Sequence, residues 1–116
     1  MKQVIIIRKD LKMRRGKEIA QGSHASMAFL LQPTNLFVGD VAEWLRGGQT
    51  KICLQVDSEQ ELLDLDKKAK ELGLRSYVIT DAGRTEFGGV PTKTCMAIGP
   101  NKSEDIDMIT GHLKLY

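Results

Sequence analysis

Two short stretches of this sequence carry side chains able to do acid, base or electrostatic chemistry beside a turn. Lys17 follows Gly16 at the end of a basic run, and Gln21 and His24 continue from it at i+4 and i+7. Asp81 opens a second stretch with Gly83, Arg84 and Thr85. A carboxylate can take a proton from water, and an ammonium group can hold the charge that grows on an oxygen. Asp81 and Lys17 together therefore suit attack of water on a carbonyl. Plainer roles stand beside this one: Lys17 and Asp81 as a structural ion pair, Lys17 and Gln21 as solvated positions, His24 as a histidine satisfied by its packing.

Other chemistries lack their parts. Leu11–Glu18 (LKMRRGKE) places Gly-Lys near a helix start, but a phosphate loop needs Gly at position 11 and Ser or Thr at position 18, where this chain has Leu and Glu. No G-x-G-x-x-G follows the first strand, which argues against a dinucleotide cofactor, and no G-x-S-x-G elbow marks a serine nucleophile. Cys53 and Cys95 lie far apart in apparent strands without a second ligand at metal spacing. Both are expected to be reduced core residues, with no metal site or disulfide.

The elements that must position Lys17 and Asp81 follow from periodicity. Lys2–Lys9 centres on the β-branched run Val4–Ile7, the pattern of a strand buried on both faces. After the basic loop 10–15, good helix formers run from Gly16 to about Leu31 until Pro33. Ile19, Ala20, Ser23, Met27, Leu30 and Leu31 form the expected core-facing stripe, and the small residues among 20–28 allow close approach to a sheet. A short helix is expected over Gly39–Arg46, a strand over Lys51–Val56, and a helix from the capping box Ser58–Glu61 to Gly73. A third strand covers Arg75–Thr80 and a fourth about Lys93–Ile98 before a Gly99-Pro100 breaker; a helix follows over Ser103–Thr110, then an extended tail.

Strands alternating with helices predict an α/β, three-layer sandwich with a four-stranded mixed β-sheet and helices on both faces, the fourth strand antiparallel. Ligands of such folds gather beyond the carboxyl ends of the strands. Parallel first and third strands would bring Lys17 and Asp81 to one rim.

Composition bounds the rest. A chain of 116 residues with 41% hydrophobic and 28% charged residues fits one soluble globular domain spanning 1–116. No apolar run approaches the roughly 20 residues of a membrane span, and no signal peptide is evident, so a cytosolic protein without membrane attachment is expected. Net charge is +2, yet residues 1–20 hold seven Lys/Arg against Asp10 and Glu18, a local +5 that would attract a polyanion. With only 5% aromatic residues, base stacking is a poor mode of RNA binding, and phosphate contacts from Lys12, Arg14 and Arg15 fit better. A solvated basic loop is the simpler alternative.

Several separated segments in order, KQVIIIRKDLK (2–12), GKEIAQGSHA (16–25), DAGRTE (81–86), IGP (98–100) and TGHLKLY (110–116), resemble the type 2 peptidyl-tRNA hydrolases of archaea and eukaryotes. The resemblance runs from about residue 2 to the C-terminus. It implies cleavage of the ester between peptide and tRNA without a metal or organic cofactor, with Lys17, Asp81, Thr85 and Thr94 as catalytic residues. The stretch between Thr85 and Cys95 departs from the Pro-Gly loop of many members and is about one residue longer, so Thr92 competes with Thr94 for the last position. On this expectation Asp81 accepts a proton from water, directly or through Thr85, while Lys17 steadies the oxyanion. Thr94 helps hold water or ester, and Gln21, His24 and Gly83 line the site. Lys12, Arg14, Arg15 and Lys17 gather acceptor-end phosphates, with Arg84 on the opposite lip. The resemblance also implies a homodimer, and Met1 directly before the first strand leaves no targeting extension expected. The alternative of another class is a noncatalytic tRNA- or protein-binding adaptor using the same basic rim.

Overall fold

The computed structural model describes residues 1–84 and 86–116. The β-branched run forms β1 (Lys2–Arg8), with residues 3–7 buried. It sits inside a four-stranded sheet with β2 (Lys51–Val56), β3 (Ser76–Asp81) and β4 (Thr92–Asn101), in the order β2-β1-β4-β3. β1 pairs in parallel with β2, Ile5 opposite Cys53, whereas β4 is antiparallel to both β1 and β3. β1 and β3 therefore point the same way, and their carboxyl ends share a rim as expected.

Helices α1 (Arg15–Met27) and α2 (Gly39–Arg46) cover one face, and α3 (Glu59–Glu71) and α4 (Ser103–Thr110) the other. Strand alternation divides the core accordingly. Ile5, Ile7, Cys95 and Ala97 pack toward Ala25 of α1, with Phe29, Val41 and Trp44 continuing that layer. Val4, Ile6, Met96 and Ile98 pack against Leu62, Leu65, Ile106 and Ile109. α3 has the expected cap: the Glu61 backbone N–H donates to Ser58 Oγ at 3.1 Å.

Three expectations are corrected. The buried face of α1 is Gln21, Gly22 and Ala25 rather than the apolar stripe; Ile19 and Met27 are exposed, and a turn of 3-10 helix over Ala28–Leu31 ends the helical run. Small residues win that face because the helix lies close to the sheet, where a Cβ on Gly22 would already touch Ile5 Cγ2 at 3.6 Å. Gly99-Pro100 does not break β4. The strand passes through it at a register shift against β1, where the missing proline N–H is tolerated. Cys53 is exposed while Cys95 is buried, because β2 is an outer strand beyond the cover of α1. The basic loop holds a short 3-10 turn over Lys9–Leu11, followed by Lys12 in the left-handed region at φ 51°.

The tail, expected to be extended from His112, first turns over residues 111–113, and only its last residues are extended. It lies against β2 through a bridge between Leu54 and Leu115. Among the described residues, no helix is long and apolar enough to cross a membrane.

Candidate active site

The rim of β1 and β3 brings two opposite charges into contact. β1 leads through the basic loop into α1, whose first turn presents Lys17; β3 ends in Asp81. Lys17 Nζ donates to Asp81 Oδ1 at 2.8 Å, with the two side chains 16% and 13% exposed. One turn further along α1, Gln21 Nε2 donates to the same Oδ1 at 3.4 Å. The other carboxylate oxygen accepts the Gly83 N–H at 2.8 Å. This last bond needs glycine: Gly83 has φ +80°, and a Cβ there would lie 2.2 Å from the Val90 carbonyl oxygen.

Behind Gln21 stands Thr94, whose hydroxyl has no exposed surface and donates to Gln21 Oε1 at 2.6 Å. The β4 register explains how it gets there. Ile79 pairs with Cys95 and Thr80 with Lys93, so Thr94 is the extra residue of a bulge that turns it toward α1. The Cys95 thiol, also on that face, donates to the Gln21 backbone carbonyl at 3.3 Å, and burial pushes its pKa up to about 11. It is a packed thiol rather than a nucleophile. Thr92 is used elsewhere, its hydroxyl donating to the Val90 carbonyl at 2.8 Å.

The Lys17 ammonium and the Gly83 N–H hold the Asp81 carboxyl below its ordinary value of 3.8, opposed by partial desolvation; the charges of Lys17 and His24 assist. Lys17 stands 6.0 Å from the ring centre of Phe87, on the loop after Asp81. Lys12, Arg14 and Arg15 are exposed around the start of α1, and Arg84 is exposed on the facing loop. Arg14 is the N-cap of α1 and makes no side-chain capping bond. A cation at a helix N-terminus opposes the helix dipole, a local cost of roughly 0.3–1 kcal/mol, which Glu86 on the facing loop, 3.7 Å from Arg14 Nε, partly offsets.

Comparison with known proteins places this arrangement. A family model described as Peptidyl-tRNA hydrolase PTH2 matches residues 1–116. The chain belongs to that family. It is similar to the Peptidyl-tRNA hydrolase of Methanocaldococcus jannaschii, 49% identical over 115 residues and covering 99% of each chain. The Peptidyl-tRNA hydrolase of Methanopyrus kandleri is 46% identical over 114 residues, 98% of this chain and 97% of that one. The Probable peptidyl-tRNA hydrolase 2 of Dictyostelium discoideum is 43% identical over 115 residues, 99% of this chain but 54% of that longer one.

Within this family member, the structure gathers Lys17, Gln21, Asp81, Gly83 and Thr94 into one hydrogen-bonded set. His24 is exposed on the next turn and lines a groove that begins at Asp81. Thr85 lies outside the described residues. Gln21, expected to line the site, does so, and it also joins Asp81 to Thr94, a link its spacing did not indicate. One further neighbour of the site had no sequence signal. Phe87 lies in a polar Gly-rich loop and still packs against the layer under α1. Among the described residues no three His, Cys, Asp or Glu side chains converge on a point.

Proposed function

We propose that this chain hydrolyses peptidyl-tRNA, the activity for which its family and close relatives are named, and that the Lys17–Asp81 notch does the chemistry. The observation that carries this reading is the 2.8 Å contact between the two charges at a partly open rim, braced by Gln21, Gly83 and Thr94.

The contact has a chemical consequence. While Lys17 holds Asp81, the carboxylate is a weak base. An ester entering between them gives Lys17 a new acceptor, the carbonyl oxygen, on which charge grows as water attacks. As Lys17 turns to that oxygen, Asp81 loses the contact that lowers its pKa most and becomes a better acceptor for the water's proton. The proton then passes to the leaving ribose oxygen. Thr85 is assigned a relay by its place in the DAGRTE motif. Thr94, enclosed behind Gln21, acts as a positioning residue: it fixes the amide so that its N–H group faces Asp81.

The cations Lys12, Arg14, Arg15 and Arg84 flank the notch on its basic side and suit the phosphates of the acceptor end. A cytoplasmic location accords with a substrate made during translation. The homodimer draws support from an exposed apolar strip that includes Ile19 of α1 and lies beside Cys53 of β2. Sedimentation at micromolar concentration tests it, and a single monomeric species removes it.

The test of activity is direct. Incubated with N-acetyl-aminoacyl-tRNA, the protein is expected to release N-acetyl-amino acid and intact tRNA. Tight binding without release would instead establish the adaptor.

A further inference from the structure

The notch accounts for the ester and for the tRNA side of the substrate, but the peptide has to leave it somewhere. One direction is marked by the fold. β3 is an outer strand, paired on one side with β4; among the described residues, no backbone or side-chain hydrogen bond reaches the other margin of Tyr77–Thr80. Open space follows that margin for the whole strand. A groove of about 610 Å³ runs along Val78–Asp81, walled by His24 and Met27 of α1 and by Leu31 beyond it. At Val78 it meets a second groove of about 680 Å³ that continues past Tyr77 and Ser76. The wall next to Asp81 is apolar and uncovered, with Met27 63% and Leu31 83% exposed, while the farther groove is more polar, lined by Gln32, Lys70 and Arg75. The groove starts at Asp81 and runs away from the basic loop, so phosphates and peptide would depart from the ester on different sides.

We infer that the free margin of β3 receives the peptide arm of the substrate as an added β-strand, its ester end at Asp81. This rests on the proposed hydrolase activity. The direction of the added strand follows from the chemistry: the esterified carbonyl is the peptide's C-terminus, and Asp81 is the C-terminal end of β3. The peptide must therefore run parallel to β3, with earlier residues toward Ser76. At about 3.3 Å per residue, the six residues of β3 accommodate a peptide of roughly five or six residues. Main-chain pairing is also the recognition that fits this substrate. Peptides of differing sequence share only their backbone, and strand addition reads backbone while an apolar wall tolerates varied side chains.

A parallel ladder engages every second residue of each strand, so the test is periodic. The full-length protein is given N-acetyl-aminoacyl-tRNA and a series of N-acetyl-pentapeptidyl-tRNAs, each carrying one backbone N-methyl group at a different position. The expected result has three parts. The unmethylated pentapeptide is cleaved with higher kcat/KM than the single residue. Methylation at alternate positions lowers kcat/KM about three- to tenfold, the effect of one lost hydrogen bond. Methylation at the intervening positions changes it little. A flat or non-alternating profile, with the one-residue substrate still cleaved, overturns the strand addition and leaves the hydrolase standing. If no substrate is cleaved, the hydrolase proposal fails and this inference fails with it. A second measurement covers the possibility that nucleotide fills the groove: backbone hydrogen exchange of Val78–Thr80 should slow with a non-hydrolysable amide-linked peptidyl acceptor stem, and not with the same stem lacking peptide. Equal slowing by both overturns the proposal.

Discussion

The sheet ends in two outer strands, and the chain treats them differently. At β2 it covers the margin with its own tail: the Gln55 N–H donates to the Lys114 carbonyl at 3.1 Å, the Tyr116 N–H to the Cys53 carbonyl at 3.0 Å, and Gln55 Nε2 to the Leu115 carbonyl at 2.7 Å. The Tyr116 hydroxyl then reaches Glu18 on α1, whose carboxylate pushes the phenol up to about 12. At β3 no described residue does the same. An uncovered margin invites pairing with other chains, and folds usually blunt it. Here one margin is closed by the chain's own tail, and the one left open ends at Asp81. An open margin ending at Asp81 fits the peptide path proposed above, whereas the covered margin has no such role.

The largest effect is expected at the end of the open margin, in the notch. Lys17→Ala should lower kcat about 10²- to 10³-fold, the range for removing one oxyanion donor. It should also move the acid limb of kcat/KM. On the proposed mechanism Asp81 works ionised, and Lys17 and Gly83 hold its carboxyl below 3.8, so activity should be lost only as pH falls through that lowered value. Without Lys17 the limb should rise toward 3.8. A pH profile unchanged in position would mean that Lys17 does not set Asp81.

Gly83→Ala comes next. The added methyl cannot fit beside the Val90 carbonyl, so the loop must move and carry away the N–H that holds Asp81. A fall in kcat/KM of about tenfold to a hundredfold is expected, corresponding to roughly 1–3 kcal/mol of backbone strain relieved by displacing the site. Circular dichroism should stay native, because the strands themselves are untouched.

Thr94→Val leaves Gln21 Oε1 without its donor in a closed site, which costs about 1–3 kcal/mol. Activity should fall several-fold, mostly in kcat, and Thr94→Ser should restore it, since the hydroxyl rather than the methyl holds Gln21. Failure of serine to restore activity would assign Thr94 to packing alone.

The smallest catalytic effect is expected at the closed margin. Removing His112–Tyr116 takes away the bonds that cover β2 and should lower stability by about 1–2 kcal/mol, seen as a lower Tm. It should also promote concentration-dependent association while kcat stays near that of the full chain. A large loss of kcat with native stability would make the two margins equally important to catalysis and dissolve the contrast.

Much of this was legible in the sequence, for identifiable reasons. Local periodicity placed every strand and helix to within a few residues, and the chain direction of β1 and β3 followed from the crossovers, so Lys17 and Asp81 could be assigned to one rim. What failed was nonlocal. The insertion of β4 between β1 and β3 is a matter of pairing across the fold, and the outer margins of β2 and β3 are defined only by that order. The Thr94 bulge arises from a one-residue mismatch between β3 and β4, visible only once both are aligned. The apolar residues Ile19 and Met27 suggest a buried stripe, but a hydrophobic pattern does not reveal which face lies against the sheet, here that of Gln21, Gly22 and Ala25. Cys53 looked like a core residue because its strand is apolar, but an outer strand has less cover.

The central claim is that Asp81 draws the proton from the attacking water. Single-turnover cleavage of N-acetyl-aminoacyl-tRNA by Asp81→Asn, measured from pH 3 to pH 8 on protein with native circular dichroism, tests it most directly. A loss of at least about 10²-fold and disappearance of the acid limb are expected. Near-normal turnover with the limb intact would contradict it and assign the water to another group.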